Sequence, residues 1–152
     1  MVIWFIGLSG YGKTTLGTKL THELKKDLKN LVYLDGDILR EVWGDDLSHS
    51  IEGRKRNAKR ISNLCRLLDE QGIHVIASVL SIFPEWQQWN RDQFSNYYEV
   101  FLDVPMEILI QRDTKNLYKK ALKNEIDNVV GIQIPFPRPV NADLVLSEWD
   151  DD

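Results

Sequence analysis

The chain has one cysteine, Cys65. That excludes an intrachain disulfide and any zinc site built on several thiolates. Cys65 falls among apolar positions at helical spacing, so it reads as a small buried group. No apolar run approaches the roughly 20 residues that a membrane-spanning helix needs. A strand-like pattern starts at residue 2, so no leader is expected, and a cytoplasmic location is the default expectation. Positive charge is not in excess either. Nineteen lysines and arginines stand against 23 aspartates and glutamates, a formal net charge of −4. Such a balance gives no global field to draw in nucleic acid. Neither nucleic acid nor a membrane is therefore an expected partner, and any anion site must be a local cluster. Prolines are few, and three of the five fall between residues 129 and 139, which argues against regular structure there. No repeat and no linker is visible. The remaining composition is that of a globular protein, with 43% apolar and 28% charged residues among 152. That length suits one domain spanning 1–152.

Against this background one stretch stands out. Gly7, Leu8, Ser9, Gly10, Tyr11, Gly12, Lys13 and Thr14 fit G-x-x-x-x-G-K-[ST], the phosphate-binding loop. Val2 to Ile6 before it is an unbroken apolar run that suits a buried strand. Leu16, Leu20, Leu24 and Leu28 after it recur every four residues, one stripe of a helix. The motif thus has the strand–loop–helix context that its chemistry requires. The glycines let successive N–H groups turn toward one anion, and the helix start adds its positive dipole end. Lys13 can reach β- and γ-phosphates, and the Thr14 hydroxyl can hold Mg²⁺.

Further along, apolar strands are expected at 31–34, 73–80, 98–104 and 144–146. Helices are expected at 38–43, 53–71, 84–94 and 106–111, with helical spacing again at Leu117, Tyr118, Ala121 and Leu122. Residues 44–50 read as a loop, and 149–152 as a fraying tail. Trp86 and Trp89 read as packing residues. Strands alternating with helices imply an α/β fold: a doubly wound sandwich of the P-loop NTPase type, with a mostly parallel five-stranded sheet covered on both faces. Ligands in such folds sit beyond the carboxyl ends of the strands. Gly7–Thr14, Asp35 with Asp37, and Ser81 all fall at such ends.

These clusters support phosphoryl transfer. Asp35 or Asp37 could accept a proton from a substrate hydroxyl or hold magnesium through water. Arg40, Arg54 and Arg112 carry guanidinium forks that match phosphate or sulfate oxygens. At 100° per residue, Ile61, Leu64, Cys65 and Leu68 form a stripe that continues into Asn57 and Arg54, which carries both into a cleft floor. The polar segment 112–139 could close over the cleft as a lid and exclude water.

Taken in order, Gly7-Leu-Ser-Gly-x-Gly-Lys-Thr14, Leu34-Asp-Gly-Asp-x-x-Arg40, Arg54-x-x-Asn57-x-x-Arg60-Ile61, Ser81, Val100-Phe-Leu-Asp-Val-Pro105, Gln111-Arg-Asp-x-Lys115-x-Leu-Tyr-Lys-Lys-Ala121, then Gly131-Ile132 and Pro135 resemble the adenylylsulfate kinases. The match covers nearly the whole chain. It implies ATP-dependent phosphorylation of the 3′-hydroxyl of adenylyl sulfate, with Mg²⁺. It implies that Asp35 and Asp37 lie by the acceptor hydroxyl and metal, with Asp35 and Thr14 as the metal's protein ligands. Arg40, Arg54 and Asn57 would hold the acceptor nucleotide, with Ile132 on the same side. Arg112 and Lys115 would belong to the lid over the donor. Ser81 matches a serine described as phosphorylated in bacterial members; the plain alternative is a strand-end hydroxyl capping the next turn. The expected partner is a small-molecule nucleotide substrate, with a homodimer left open.

Several positions depart from the family pattern. Two aromatic residues of the family sandwich the acceptor's adenine; here those positions hold His49 and Val129. Ile82 replaces a proline, Asn116 a glycine and Gln133 an acidic residue. The same chemistry on a cytidine diphosphate conjugate, such as cytidine diphosphoramidate, is therefore the rival expectation. A nucleotide-binding switch would not need the paired aspartates. A gluconate- or shikimate-type sugar kinase would not explain Arg54-x-x-Asn57 beside Asp-Gly-Asp.

Overall fold

In the computed structural model, which describes residues 1–10, 12–113 and 115–147, the apolar runs pair into one sheet. Its strands are β1 (Val2–Ile6), β2 (Leu31–Asp35), β3 (His74–Val79), β4 (Tyr97–Leu102) and β5 (Leu144–Leu146), in the order β2-β3-β1-β4-β5. Every pairing between these strands is parallel. The helices are α1 (Lys13–Leu24), α2 (Gly36–Val42), α3 (Ile51–Glu70), α4 (Pro84–Gln93), α5 (Met106–Gln111) and α6 (Leu117–Leu122). None is long and apolar enough to cross a membrane.

Strand periodicity divides the core in two. On one face Phe5, Ile76, Val100 and Leu102 meet Leu16, Leu20 and Leu24 of α1, and Leu28 just beyond it. On the other, Val2, Trp4, Ile6, Val75 and Ala77 meet Ile61 and Cys65 of α3, with Leu64 and Leu68 at its margin. The expected stripe of α3 is thus its packing face. At the outer strand β5 cover is thin: Val140, Leu144, Val145 and the neighbouring Tyr98 are exposed.

Element ends differ from the sequence expectations for local reasons. The helix expected at 38 begins at Gly36, because the Asp35 carboxylate accepts from the Asp37 and Ile38 amides and caps it. The helix expected at Gly53 begins at Ile51, because Ser50 Oγ accepts from Gly53 N at 3.2 Å. Strand β4 stops at Leu102 rather than 104, although Asp103 N still donates to Leu146 O at 2.8 Å. Among the described residues from 115 to 128 only Leu117–Leu122 is helical; the Asp113 carboxylate holds its start, accepting from Leu117 N and Lys119 N.

One contact fixes where α1 lies. A Cβ at Gly17 would stand 2.5 Å from Tyr33 Cε2 and 2.8 Å from Ser78 Oγ. Gly17→Ala is therefore expected to lower stability by about 1–3 kcal/mol through overpacking. A denaturant midpoint equal to wild type would show that the helix can back away without loss.

Candidate active site

The carboxyl ends of β1, β2 and β3 open on one cavity of about 730 Å³. After β1 the chain turns through Gly10 (φ 86°) and Gly12 (φ 78°), both in the left-handed region that glycine tolerates. Gly12 is the N-cap of α1, and no side chain among the described residues caps that helix. The amides of its first turn have no intrahelical acceptor and point outward with the positive end of the dipole. That is a ready anion cradle. The loop is braced from the side by Tyr118, 2% exposed, whose hydroxyl donates to Ser9 O at 2.6 Å.

Lys13 folds back over this loop. Its Nζ donates to Gly7 O at 2.7 Å and Leu8 O at 2.9 Å. Burial pulls its pKa from 10.5 down to about 8, against the opposite pull of Asp37 and Asp35. A phosphate at the cradle would favour the ammonium and raise that pKa. Proton uptake on binding then occurs only above the free value. Nucleotide affinity is accordingly expected to be flat below pH 8, near the free pKa of Lys13, and to weaken above it by up to about tenfold per pH unit. A titration of affinity that stays level to pH 10 would contradict this.

Thr14 and Asp35 meet directly. Thr14 Oγ1 donates to Asp35 Oδ2 at 2.8 Å, while Asp35 Oδ1 accepts from Asp37 N at 2.9 Å. A hydroxyl and a carboxylate are hard oxygen donors of the kind Mg²⁺ accepts. Among the described residues no group of three or more acidic, histidine or cysteine side chains could hold a metal by itself. The donor set thus fits an ion that keeps waters and takes further oxygens from a phosphate. Asp37, exposed in the first turn of α2, also lines the cavity.

Across the cavity, Arg54 spans two segments. Its Nε donates to His49 O and its Nη2 to Asn128 O, both at 2.8 Å. Arg40 Nη1 donates to Leu47 O at 3.2 Å and Ser48 O at 3.3 Å, which holds the loop before α3. Loss of water around its ring, then the charges of Arg40 and Arg54, hold the His49 pKa below its ordinary value. Asn57 Oδ1 is buried in the cavity wall and has no hydrogen-bond partner among the described residues. A buried acceptor left open in this way suits a ligand donor. Val129, which lines the same cavity, is buried; its amide donates to Gln133 Oε1 at 3.0 Å, and Gln133 Nε2 in turn donates to Ala121 O and Ile126 O. Ser81, at φ 49°, accepts from Gln87 Nε2 at 3.0 Å. A serine held in the left-handed region at a cleft is the kind of local strain that accompanies function.

Most of the residues singled out in the sequence therefore face one space. Ser9, Gly10, Gly12, Lys13, Thr14, Asp35, Asp37, Arg40, His49, Arg54, Asn57, Ser81, Lys115 and Val129 all line it. Gly7 and Leu8 do not, but their carbonyls hold Lys13. Ile132 packs beneath, in the cluster with Val104, Leu109 and Tyr118. Arg112 lies exposed at the C-cap of α5 and is not among the residues that line the cavity. Tyr11 lies outside the described residues. Sequence reasoning missed Ser78, Phe83 and Trp86, which also line the cavity. Trp86 packs edge-on against Trp89, as expected of a packing residue, yet it has a second face on the cleft. A position two residues into a helix at a strand's carboxyl end was the available signal.

A parallel sheet with this loop between β1 and α1, and an acidic cap at the end of β2, is a P-loop kinase fold. The chain matches the family model for adenylylsulphate kinase over residues 1–147 and belongs to that family. It is similar to the cytidine diphosphoramidate kinase of Campylobacter jejuni, 47% identical over 146 residues, with 96% of this chain and 85% of that protein covered. It is also similar to the adenylyl-sulfate kinase of Halothermothrix orenii, 38% identical over 146 residues, with 96% and 79% covered. The solved structure of the Mycobacterium tuberculosis APS kinase in complex with AMPPNP and APS matches with a TM-score of 0.86 at 35% identity, covering 96% of this chain and 87% of that one. The protein is thus a phosphotransferase with an alcohol group as acceptor, and the family implies ATP as the donor.

Proposed function

We propose that this protein transfers the γ-phosphoryl group of ATP to a ribose hydroxyl of a cytidine diphosphate conjugate of the cytidine diphosphoramidate type. The observation that carries the choice of acceptor is the pair His49 and Val129. These stand where the family resemblance places two stacking rings, and both line the cavity. Base stacking on an aromatic ring is worth about 1–3 kcal/mol, so an adenine that relies on that sandwich would lose its contribution here. The similarity to the Campylobacter jejuni cytidine diphosphoramidate kinase supports the same reading. Adenylyl sulfate is the second reading, favoured by the match to a structure that holds APS.

In this reading the first-turn amides of α1 and Lys13 grip the donor phosphates. Thr14 and Asp35 would hold Mg²⁺, which would supply charge neutralisation to the donor. Asp35 or Asp37 takes the proton of the acceptor hydroxyl. Arg40, Arg54 and Asn57 hold the acceptor, and Ser81 lies beside it. The chain works as one kinase unit, with residues 112–139 as its cover: Lys115, Leu117 and Ile126–Val130 close one side of the cavity, where they exclude water as the competing acceptor.

The test is ADP release by the purified protein with Mg²⁺-ATP and either acceptor. A kcat/KM for cytidine diphosphoramidate at least about tenfold above that for adenylyl sulfate is expected, the discrimination that a lost stacking contact gives. The opposite preference would sink this choice and establish the second reading.

A further inference from the structure

We infer that Tyr33 and Ser78 are a positioning pair that sets the first turn of α1, and through it the affinity for nucleotide. The inference rests on the kinase reading above. It concerns two residues that the phosphate-loop motif does not contain.

Tyr33 lies on β2, two residues before Asp35, and Ser78 is the register partner of Asp35 on β3. The Tyr33 hydroxyl donates to Ser78 Oγ at 2.9 Å, and Ser78 Oγ donates to Lys13 O at 3.1 Å. A serine hydroxyl has one proton to give. Because Tyr33 occupies its acceptor side, that proton is directed to the Lys13 carbonyl. The relay is therefore oriented, and each bond polarises the next. Ser78 itself is nearly buried, at 3% exposed, at the cavity's edge. Thr14 and Asp35, the couple suited to Mg²⁺, both lie near the same phenol and contribute to its electrostatics.

The fit around the pair is close. The Tyr33 ring and the Ser78 hydroxyl occupy the space that any side chain at Gly17 would need. Helix α1 is thus bonded to the sheet at its first turn and pressed against it one turn later. Lys13 and Thr14 both project from that first turn. A small shift of the turn would displace the ammonium, the hydroxyl and the cradle amides together, and reacting groups tolerate little displacement.

The test uses Tyr33→Phe, Ser78→Ala and the double variant of the full chain. The readouts are the dissociation constant of an unhydrolysable ATP analogue with Mg²⁺, the KM for ATP and for the acceptor, and the melting temperature. Each single change is expected to weaken nucleotide binding and raise the KM for ATP by roughly tenfold, with the acceptor's KM unmoved. The double variant is expected to bind no worse than Ser78→Ala, because both changes cut one relay. Unchanged nucleotide affinity with a lower melting temperature would overturn the pair's role and leave the kinase reading standing, as would losses that simply multiply in the double variant. Absence of nucleotide binding by the wild-type protein would overturn the kinase reading itself, and the pair's role with it.

Discussion

Lys13→Ala is expected to leave a folded protein that has lost nearly all phosphoryl transfer. The lysine is half-buried, and among the described residues its ammonium is bonded to the Gly7 and Leu8 carbonyls of its own loop. Those carbonyls can turn to water when it is removed, so the stability cost should be about 1 kcal/mol. The functional cost is of another order. Charge that moves onto the transferred group loses a cation at the cradle, and loss of a single preorganised donor of this kind costs about 10²–10³-fold in kcat. Steady-state kinetics alongside a melting curve would check this. A variant within a few-fold of wild-type kcat/KM would mean that Lys13 stays on its carbonyls throughout, and that the donor binds elsewhere.

Asp35→Asn should separate architecture from chemistry more sharply. In the wild type one carboxylate oxygen caps α2 and the other takes the Thr14 hydroxyl. Asparagine caps a helix about as well as aspartate, so α2 should persist and the melting temperature should barely move. The second oxygen becomes an amide nitrogen that can neither take a proton nor neutralise a divalent cation. Turnover is expected to fall about 10²–10⁴-fold. Asp35→Ala would add the loss of the cap, about 0.5–2 kcal/mol. Equal turnover by the wild type and Asp35→Asn would remove Asp35 from the chemistry and leave Asp37 as the remaining carboxylate.

What the sequence revealed and what it hid follow a physical line. The loop was legible because its glycines, lysine and threonine have fixed spacing and flanks of the right period. Arg54 and Asn57 were legible because they extend an apolar stripe into polar positions, and in the fold α3 does carry them to the cavity. Element starts were misplaced where a side chain caps the helix, as Asp35 and Ser50 do. Capping depends on where an oxygen points, which periodicity does not encode. The Tyr33–Ser78 relay was invisible for a different reason. Its members are 45 residues apart and meet only because β2 and β3 pair in one register. The Gln133 brace escaped notice because two of its three partners, Ile126 and Val129, belong to irregular backbone, where no repeat marks them, and the third, Ala121, is joined through its carbonyl near the end of α6. Arg112 carries a guanidinium of the right chemistry, and its place at the C-cap of α5, outside the cavity lining, is not something its spacing encodes.

Strand β5 has a consequence at the scale of the solution rather than the site. It pairs with β4 on one side and is the last strand in the sheet, with Leu144, Val145 and Tyr98 uncovered around it. A short ladder end flanked by greasy side chains is adhesive. Its three-residue length limits how many rungs a stranger could add. Concentrated samples should therefore show weak, reversible stickiness that rises with salt as the net negative charge is screened, long before the catalytic end of the molecule is disturbed.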